Sequence, residues 1–271
     1  MSAPAREIAP AKLNLALHVR GTLPDGRHAI ETLFAFCTDG DLLSAEPADE
    51  LTLEVSGPFA GDLPMGEANL VMKAARGLQQ AAGVGKGAAI TLDKRLPVAS
   101  GIGGGSADGA AALRLLTSLW AVDPKHAQAV APSLGSDALA CLFSLPARGA
   151  GAGDVLTPVA LAELSHAPVL LINPRLPLST ADVYAAWGGV DLGPLGDDWR
   201  RARNDLEKPA IALMPLIGAV EAWLAAQPGV NFTRMSGSGA TCFAIFDNEE
   251  ARDAAADKVP REWWRLATFL R

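Results

Sequence analysis

The sequence predicts an α+β fold in two domains. The chain has 271 residues, a length compatible with one large domain or two smaller ones. Its first half mixes predicted strands and helices without the regular alternation that a doubly wound parallel sheet shows. A small-residue stretch with three glycines closes this half, and a new buried strand begins shortly after it. We therefore place a boundary near Leu161, with a first domain at 1–160 and a second domain at 161–271.

Hydrophobic periodicity predicts the elements of the first half in chain order. Apolar residues alternate from Leu13 to Val19, which favours a strand with one buried face and leaves Lys12 and Asn14 on the other face. The elements that follow are strands at Ile30–Phe36 and Leu51–Val55, a helix at Asn69–Ala82 that stops at Gly83, and a strand at Ala88–Leu92.

One helix has a particularly clear pattern. Ser106 to Trp120 carries its large apolar residues on one side, with Ser106 as a suitable cap and Asp108 in the first turn. The elements predicted after it are a strand at Val169–Ile172, helices around Ala181–Trp187 and Ile211–Gln227, and a strand at Cys242–Phe246.

Composition and charge exclude several classes of protein. The formal net charge is −7 and the basic residues are scattered, which argues against nucleic acid as a partner. No apolar run approaches the roughly 20 residues of a membrane helix, and the start of the chain lacks the apolar region of a signal peptide. The three cysteines are far apart and set among apolar neighbours, as expected of reduced thiols in a core. These features predict a cytoplasmic protein, monomeric or homodimeric.

A glycine-rich loop lies immediately before the Ser106 helix. Glycines let backbone amides approach an anion, and the helix start adds its unpaired N–H groups and positive dipole end. The loop is neither a Walker A motif nor a Rossmann fingerprint, and a flexible turn before a helix remains an alternative. We predict that the first domain binds a nucleotide here and that the loop cradles its triphosphate through Pro97, Val98, Ala99, Ser100, Gly101, Ile102, Gly103, Gly104, Gly105, Ser106 and Ala107.

Two charged residues are candidates for phosphoryl transfer. Asp137 is a single carboxylate in an apolar segment, where an unpaired charge is expensive, and Lys12 is a lone cation on the polar face of an apolar strand. A lysine beside a carboxylate would keep that carboxylate ionised and share transition-state charge. The alternatives are that Asp137 caps a helix and that Lys12 is solvated.

A second loop of small residues, Ser236 to Thr241, precedes the last predicted strand. It could pack against the glycine-rich loop and help to close the phosphate site, although a tight structural turn explains the same composition.

These motifs, in this order along the chain, resemble the GHMP kinase superfamily. The resemblance rests on Ala11–Leu15, Pro97–Ala107, Gly135–Asp137 and Ser236–Thr241, and it runs from about Lys12 to Phe246. It implies an N-terminal domain like the second domain of ribosomal protein S5 and a ferredoxin-like C-terminal domain. It also implies ATP as the phosphoryl donor, Asp137 as the base and Lys12 as its partner. Mg²⁺ is expected on chemical grounds, with unknown ligands.

The resemblance is closest to members that phosphorylate a small molecule carrying a cytidine diphosphate group. It rests here on Asp25–Phe34 and Ser179–Tyr184. It implies that Asn69 lies near the nucleotide and that the substrate is surrounded by Asn14, His28, Phe34, Thr180 and Tyr184, with Tyr184 stacking on cytosine. Structural roles in a turn for His28 and in packing for Tyr184 remain alternatives.

The sequence departs from the family pattern at two places. Arg27 stands where members commonly carry an aromatic residue, so a guanidinium plane replaces one side of the base sandwich, or that side is absent. Ala138 and Leu139 follow Asp137 in place of the usual Val-Pro, which changes the packing around the carboxylate. Rival interpretations are a homoserine, mevalonate or sugar kinase, a nucleic-acid-binding protein with the ribosomal-type domain, and a kinase relic that only binds.

Overall fold

The computed structural model describes residues 5–64 and 66–271, and within them the chain mixes helices and strands as an α+β fold. The strands are β1 (Ala5–Thr22), β2 (His28–Ala48), β3 (Leu51–Ser56), β4 (Gly87–Asp93), β5 (Ala147–Ala150), β6 (Val155–Pro158), β7 (Pro168–Asn173), β8 (Val230–Met235), β9 (Cys242–Phe246) and β10 (Trp264–Phe269). The helices are α1 (Leu70–Ala82), α2 (Gly104–Trp120), α3 (Pro124–Val130), α4 (Ala138–Phe143), α5 (Thr180–Ala185), α6 (Glu207–Leu213), α7 (Leu216–Ala225) and α8 (Glu249–Ala256).

The described residues divide into two compact units that are interleaved along the chain. The first comprises the chain up to Ala11, then Asp39–Val98 and Gly103–Ser144, and the second comprises Lys12–Thr38, Ala99–Ile102 and Leu145–Arg271. Strands β1 and β2 are long, with 18 and 21 residues, and each contributes to both units. The boundary near Leu161 remains a prediction about which parts fold as domains.

In the first unit β4 lies between the end of β2 and β3. It pairs antiparallel with β2, Leu92 opposite Leu43, and parallel with β3, Ile90 opposite Leu53. Helix α1 connects the two parallel strands, as a parallel pair requires. Helix α2 packs against α1 and α4, and its buried face carries Leu115, Leu116 and Trp120 as the periodicity predicts.

The second unit contains a four-stranded antiparallel sheet in the order β10-β7-β9-β8. Its core joins apolar residues of β7 and β9 to those of α7 and α8, including Leu170, Ala244 and Val220. The first part of β2 pairs with β5, which pairs with β6. The helices predicted around Ile211–Gln227 are α6 and α7, and they are separate because Pro215 between them supplies no backbone N–H to continue the first helix.

Further observations concern the cysteines, the hydropathy of the helices and the remaining elements of the first half. Cys37, Cys141 and Cys242 are buried in the core, as their apolar neighbours predict. Among the described residues, none of the helices combines the length and the hydropathy that crossing a bilayer requires. The other predicted strands and helices of the first half are confirmed, and α1 begins and ends where its signals indicate, between Asn69 and Gly83.

Candidate active site

The tip of the glycine-rich loop, Ala99–Ile102, is held through its carbonyl groups. The hydrogen bonds run from the Thr241 N–H to Ser100 O (3.2 Å), from Ser236 Oγ to Gly101 O (3.0 Å) and from the Lys12 N–H to Ile102 O (2.9 Å). In a trans peptide the N–H group points opposite to the carbonyl. The amides that follow these three carbonyls therefore point away from the groups that hold the loop, which is the orientation an anion site needs.

Lys12 lies directly beside this tip. Its side chain is buried in β1, and Nζ donates to Asn14 Oδ1 at 2.6 Å and to Gly101 O at 3.4 Å. The ammonium also lies 5.7 Å from the centroid of the Phe34 ring. The strand period of two places Lys12 and Asn14 on the same face, and the alternative of a solvated lysine is wrong.

Asn14 is fixed by a short chain of hydrogen bonds. Its Nδ2 donates to Thr32 Oγ1 at 2.7 Å, and that hydroxyl donates to Ala16 O at 2.6 Å. Because Nδ2 is occupied by Thr32, the amide oxygen faces the Lys12 ammonium. Thr32 is therefore a positioning residue that sequence reasoning missed, since a threonine in a strand has no distinctive signal.

Ser236, in the second small-residue loop, contacts both Asn14 and the tip of the glycine-rich loop. Its Oγ accepts the Asn14 N–H at 3.1 Å and donates to Gly101 O. A Cβ atom on Gly101 would lie 2.4 Å from Ser236 O, and Gly101 has a φ of +77°, so this position needs glycine. The prediction that the Ser236–Thr241 segment packs against the glycine-rich loop is confirmed.

The base of the loop lies in the first unit and leads into α2. The helix begins at Gly104 and its cap is Gly103, with a φ of +69°. The prediction that Ser106 caps the helix and that Asp108 lies in the first turn is therefore wrong. The glycines have no Cβ and allow the helix to start two residues earlier, so Ser106 lies in the first turn and Asp108 in the second.

Asp137 stands at the cap position of α4, half-buried, in the first unit. The helix-cap alternative is therefore correct about the position of Asp137, but its side chain makes no capping hydrogen bond. A Cβ atom on Gly135 would lie 3.4 Å from Ser106 Oγ, which places the segment just before Asp137 against the first turn of α2. Lys12 belongs to the second unit, and its pairing with Asp137 remains a prediction.

Asn69 has a defined structural role. It caps α1 by accepting the Val71 N–H at 2.9 Å on Oδ1, and its Nδ2 donates to Pro64 O at 3.2 Å. That Asn69 lies beside the nucleotide remains a prediction.

The residues predicted to bind the acceptor form two groups in the second unit. His28 and Tyr184 stack with ring centroids 4.5 Å apart, and Trp187 meets His28 edge-on at 5.8 Å. Thr180 Oγ1 lies 2.8 Å from Ser238 Oγ, in the loop that holds the glycine-rich tip. Asn14 and Phe34 lie beside Lys12, as described above. Trp187 was missed because nothing in the sequence separates it from core tryptophans.

Arg27, at the departure from the family pattern, is an exposed residue held by two carboxylates. Its guanidinium contacts Asp25 Oδ2 at 2.8 Å and Asp154 Oδ2 at 3.1 Å. The hydrogen bonds that Arg27 donates to Asp25, and then the one it donates to Asp154, raise the pKa of Arg27. Its contact with a base remains a prediction.

Comparison with known proteins identifies the family. The model of the GHMP kinases N terminal domain matches residues 69–144, and the model of the GHMP kinases C terminal matches residues 191–266. A 4-diphosphocytidyl-2-C-methyl-D-erythritol kinase of Rhizorhabdus wittichii is 52% identical over 98% of this chain and 94% of its own length. One of Hyphomonas neptunium is 47% identical over 97% of this chain and 95% of its own length.

Solved structures of two kinases have the same fold. A crystal structure of 4-(cytidine 5'-diphospho)-2C-methyl-D-erythritol kinase covers 98% of both chains with a TM-score of 0.83 and 33% identity. A homoserine kinase of Cytophaga hutchinsonii covers 100% of this chain and 96% of its own with a TM-score of 0.72 at 18% identity, which shows the fold alone. The chain belongs to the GHMP kinases.

Proposed function

We propose that this protein transfers the γ-phosphate of ATP to the 2-hydroxyl of 4-diphosphocytidyl-2-C-methyl-D-erythritol, a step of isoprenoid precursor biosynthesis by the non-mevalonate route. The observation that carries the proposal is the position of Lys12. A buried ammonium, oriented by Asn14 and in contact with the carbonyl of Gly101, stands at the tip of an amide-rich loop. The choice of acceptor follows the relatives that match nearly the whole chain.

The chemistry requires little covalent participation by the protein. Phosphoryl transfer depends on positioning and on cations that stabilise the charge of the transition state. In the proposed mechanism Lys12 supplies that charge and holds the acceptor hydroxyl, while the Asp137 carboxylate accepts its proton. Asn14 prevents the ammonium from turning away, because its oxygen faces Nζ at 2.6 Å.

The nucleotide would be held by the loop from Pro97 to Ala107. Its tip has amides oriented away from the groups that hold its carbonyls, and α2 contributes the N–H groups of its first turn. Asn69 would lie near the nucleotide and keep the start of α1 in place through its cap.

A magnesium ion would accompany the nucleotide. Mg²⁺ usually keeps several waters and binds phosphates together with one or two protein oxygens, so it needs no cage of side chains. Within the described residues no group of three His, Cys, Asp or Glu side chains is suited to hold a metal. The Ser106 hydroxyl would supply an oxygen that fits such a nucleotide-bound ion, which would neutralise phosphate charge.

The acceptor would be recognised through its cytosine. Tyr184 already stacks on His28 with an angle of 27° between the rings, and we expect its ring to present a face to the base. Thr180, His28, Asn14 and Phe34 would surround the remainder of the acceptor. Because ATP is the phosphoryl donor, we propose that the reaction takes place in the cytoplasm.

The test is a panel of acceptors offered with ATP and Mg²⁺. We expect turnover with 4-diphosphocytidyl-2-C-methyl-D-erythritol and at least about 10³-fold lower kcat/KM with homoserine, mevalonate or galactose, because a site built to pair a base rejects acceptors that lack it. Efficient turnover of homoserine or mevalonate, without turnover of the cytidyl acceptor, would overturn the proposal. ATP binding without transfer to any acceptor would favour a binding module.

A further inference from the structure

A fully buried cluster of three charged side chains lies in the first unit, outside the groups assigned above. Lys94 Nζ contacts Asp41 Oδ2 at 2.6 Å and Asp108 Oδ2 at 2.7 Å, and the exposed fractions of the three side chains are 0%, 0% and 3%. Burying such charges costs several kcal/mol per ion, and apolar residues of similar volume often stabilise a fold as well or better. The cluster therefore calls for an explanation beyond stability.

The members of this cluster, called here the Lys94 cluster, lie at both ends of the glycine-rich loop. Lys94 follows β4 and stands three residues before Pro97, whereas Asp108 is in the second turn of α2. Asp41 Oδ1 also accepts the backbone N–H groups of Arg95 at 2.6 Å and Leu96 at 2.8 Å. Asp41 thus fixes the segment that enters the loop, while Asp108 connects it to the helix that leaves the loop.

The Lys94 ammonium lies close against the start of α2. A Cβ atom on Gly104, the first residue of the helix, would lie 3.1 Å from Nζ. The ammonium is fully buried and shared between two carboxylates, so it differs from the exposed lysine of a Walker A loop and is not placed to contact a phosphate. It acts on the backbone that would carry the phosphate-binding amides.

Burial and the neighbouring charges shift the pKa values of two members of the Lys94 cluster. Burial opposes the charged lysine, but Asp108 and Asp41 outweigh it, so the pKa of Lys94 is raised. Burial, followed by the opposing effect of Lys94 and the repulsion of Asp41, leaves the pKa of Asp108 well above its usual range. Oδ1 of Asp108 makes no hydrogen bond to the described residues.

We propose that Lys94, Asp41 and Asp108 are positioning residues that hold the two ends of the glycine-rich loop in the geometry that binds the phosphates of ATP. The inference rests on the proposed function, since it takes the loop to be the nucleotide site. It goes beyond that function because none of the three side chains would touch a ligand. Displacement of positioned groups by about 1 Å is enough to lose most of their effect.

The test compares Lys94→Met, Asp108→Ala and Asp108→Asn with wild type and with Lys125→Met, a matched control at an exposed lysine of the same unit (72% exposed). ATP affinity is measured by calorimetry without acceptor, so that the result does not depend on the identity of the acceptor. The KM values for ATP and for the acceptor are then measured well below the melting temperature of each variant.

We expect Lys94→Met and Asp108→Ala to weaken ATP binding by about tenfold or more while the acceptor KM changes less than about twofold, because only the loop geometry is lost. Asp108→Asn, which keeps the shape of the side chain and an oxygen that can accept from Lys94 Nζ, should return ATP affinity to within about threefold of wild type. Lys125→Met should match wild type.

Two results would overturn the inference. One is a lower melting temperature for Lys94→Met and Asp108→Ala with unchanged ATP affinity, which would make the cluster purely structural. The other is an equal rise, in these two variants, of the KM for ATP and the KM for the acceptor. If Lys94→Met does not fold, the contrast between Asp108→Ala and Asp108→Asn decides. Failure of the proposed function is recognised separately, by a wild-type protein that binds no ATP or transfers no phosphate.

Discussion

The tip and the base of the glycine-rich loop are fixed by different interactions. At the tip, in the second unit, three backbone carbonyls accept hydrogen bonds from Ser236, Thr241 and Lys12. At the base, in the first unit, the buried Lys94 cluster holds the chain on both sides. The tip is therefore held by the candidate catalytic residue Lys12 and by Ser236, which also contacts Asn14, whereas the base is held by side chains that have no proposed contact with a ligand. The difference suggests that the tip controls chemistry and the base controls nucleotide affinity.

The largest expected effect concerns the candidate base. Asp137→Asn should lower kcat by about 10² or more and leave the ATP dissociation constant within about twofold, as for loss of a positioned base. Steady-state kinetics and calorimetry measure the two quantities. Asp62→Asn, at an exposed position of the same unit, is the control. Near-normal turnover in Asp137→Asn would remove this residue from the mechanism.

The pairing of Lys12 with Asp137 is tested by a double-mutant cycle. If the ammonium and the carboxylate act as one unit, Lys12→Met combined with Asp137→Asn should cost little more than the more severe single substitution, because such groups are strongly non-additive. The kcat of the four proteins measures the coupling. Fully additive losses would show that the two residues act independently.

Two glycine substitutions, one at the tip and one at the base, compare the backbone requirements of the two regions. Gly101→Ala should lower the free energy of unfolding by about 3 kcal/mol, because its φ of +77° is unfavourable for alanine and its Cβ would lie 2.4 Å from Ser236 O. Gly104→Ala should change it by less than about 1 kcal/mol, since the helical gain of alanine offsets a 3.1 Å approach to Lys94 Nζ. Urea unfolding measures both, and equal losses would contradict the distinction.

The hydroxyl that joins the tip to Asn14 gives a smaller effect. Ser236→Ala removes the donor to Gly101 O and the acceptor of the Asn14 N–H in a fully buried position. It should cost about 2 kcal/mol of stability and reduce kcat, because Asn14 also orients Lys12. Ser238→Ala, which loses only the contact with Thr180 Oγ1, is the matched control and should cost about half as much. Indistinguishable variants would argue against a special role for Ser236.

Local patterns in the sequence predicted most of the elements. The alternation in β1 and the caps of α1 are governed by neighbouring residues, so Lys12, Asn14 and the limits at Asn69 and Gly83 could be read directly. The start of α2 could not, because glycines allow a helix to begin at more than one residue and Ser106 had an equally good cap chemistry. The division into two units is also not visible in the sequence. Because β1 and β2 each contribute to both units, no change of composition at a single position marks where one unit ends and the other begins.

The candidate sites likewise divide into those that a local sequence pattern marks and those that only the tertiary fold brings together. Motifs with special backbone chemistry, such as the glycine-rich loop and Ser236–Thr241, were found because composition marks them. Lys94 lies within Asp93-Lys94-Arg95, a run that reads as a solvated turn, and Asp108 reads as a helix-start acid. Asp41 lies 53 residues from Lys94, so only the tertiary fold shows that these charges converge in the core. Contacts over such separations leave no pattern in a single sequence.

The smallest effect tests the burial of a charge on α7 in the second unit, in contrast to the paired charges at the base of the loop. Glu221 of α7 is half-buried, and burial, then repulsion from Glu207 against the attraction of Arg234, raises its pKa from 4.5 to about 7. The folded protein thus keeps Glu221 protonated between these values, while the unfolded chain ionises. Stability from this residue is lost as pH rises from about 4.5 to about 7. Glu221→Gln should therefore gain stability relative to wild type across this window, reaching roughly 1 kcal/mol after solvent screening and staying constant above it. Urea unfolding at several pH values measures the gain, with Glu262→Gln as an exposed control, and a pH-independent difference would contradict the burial argument.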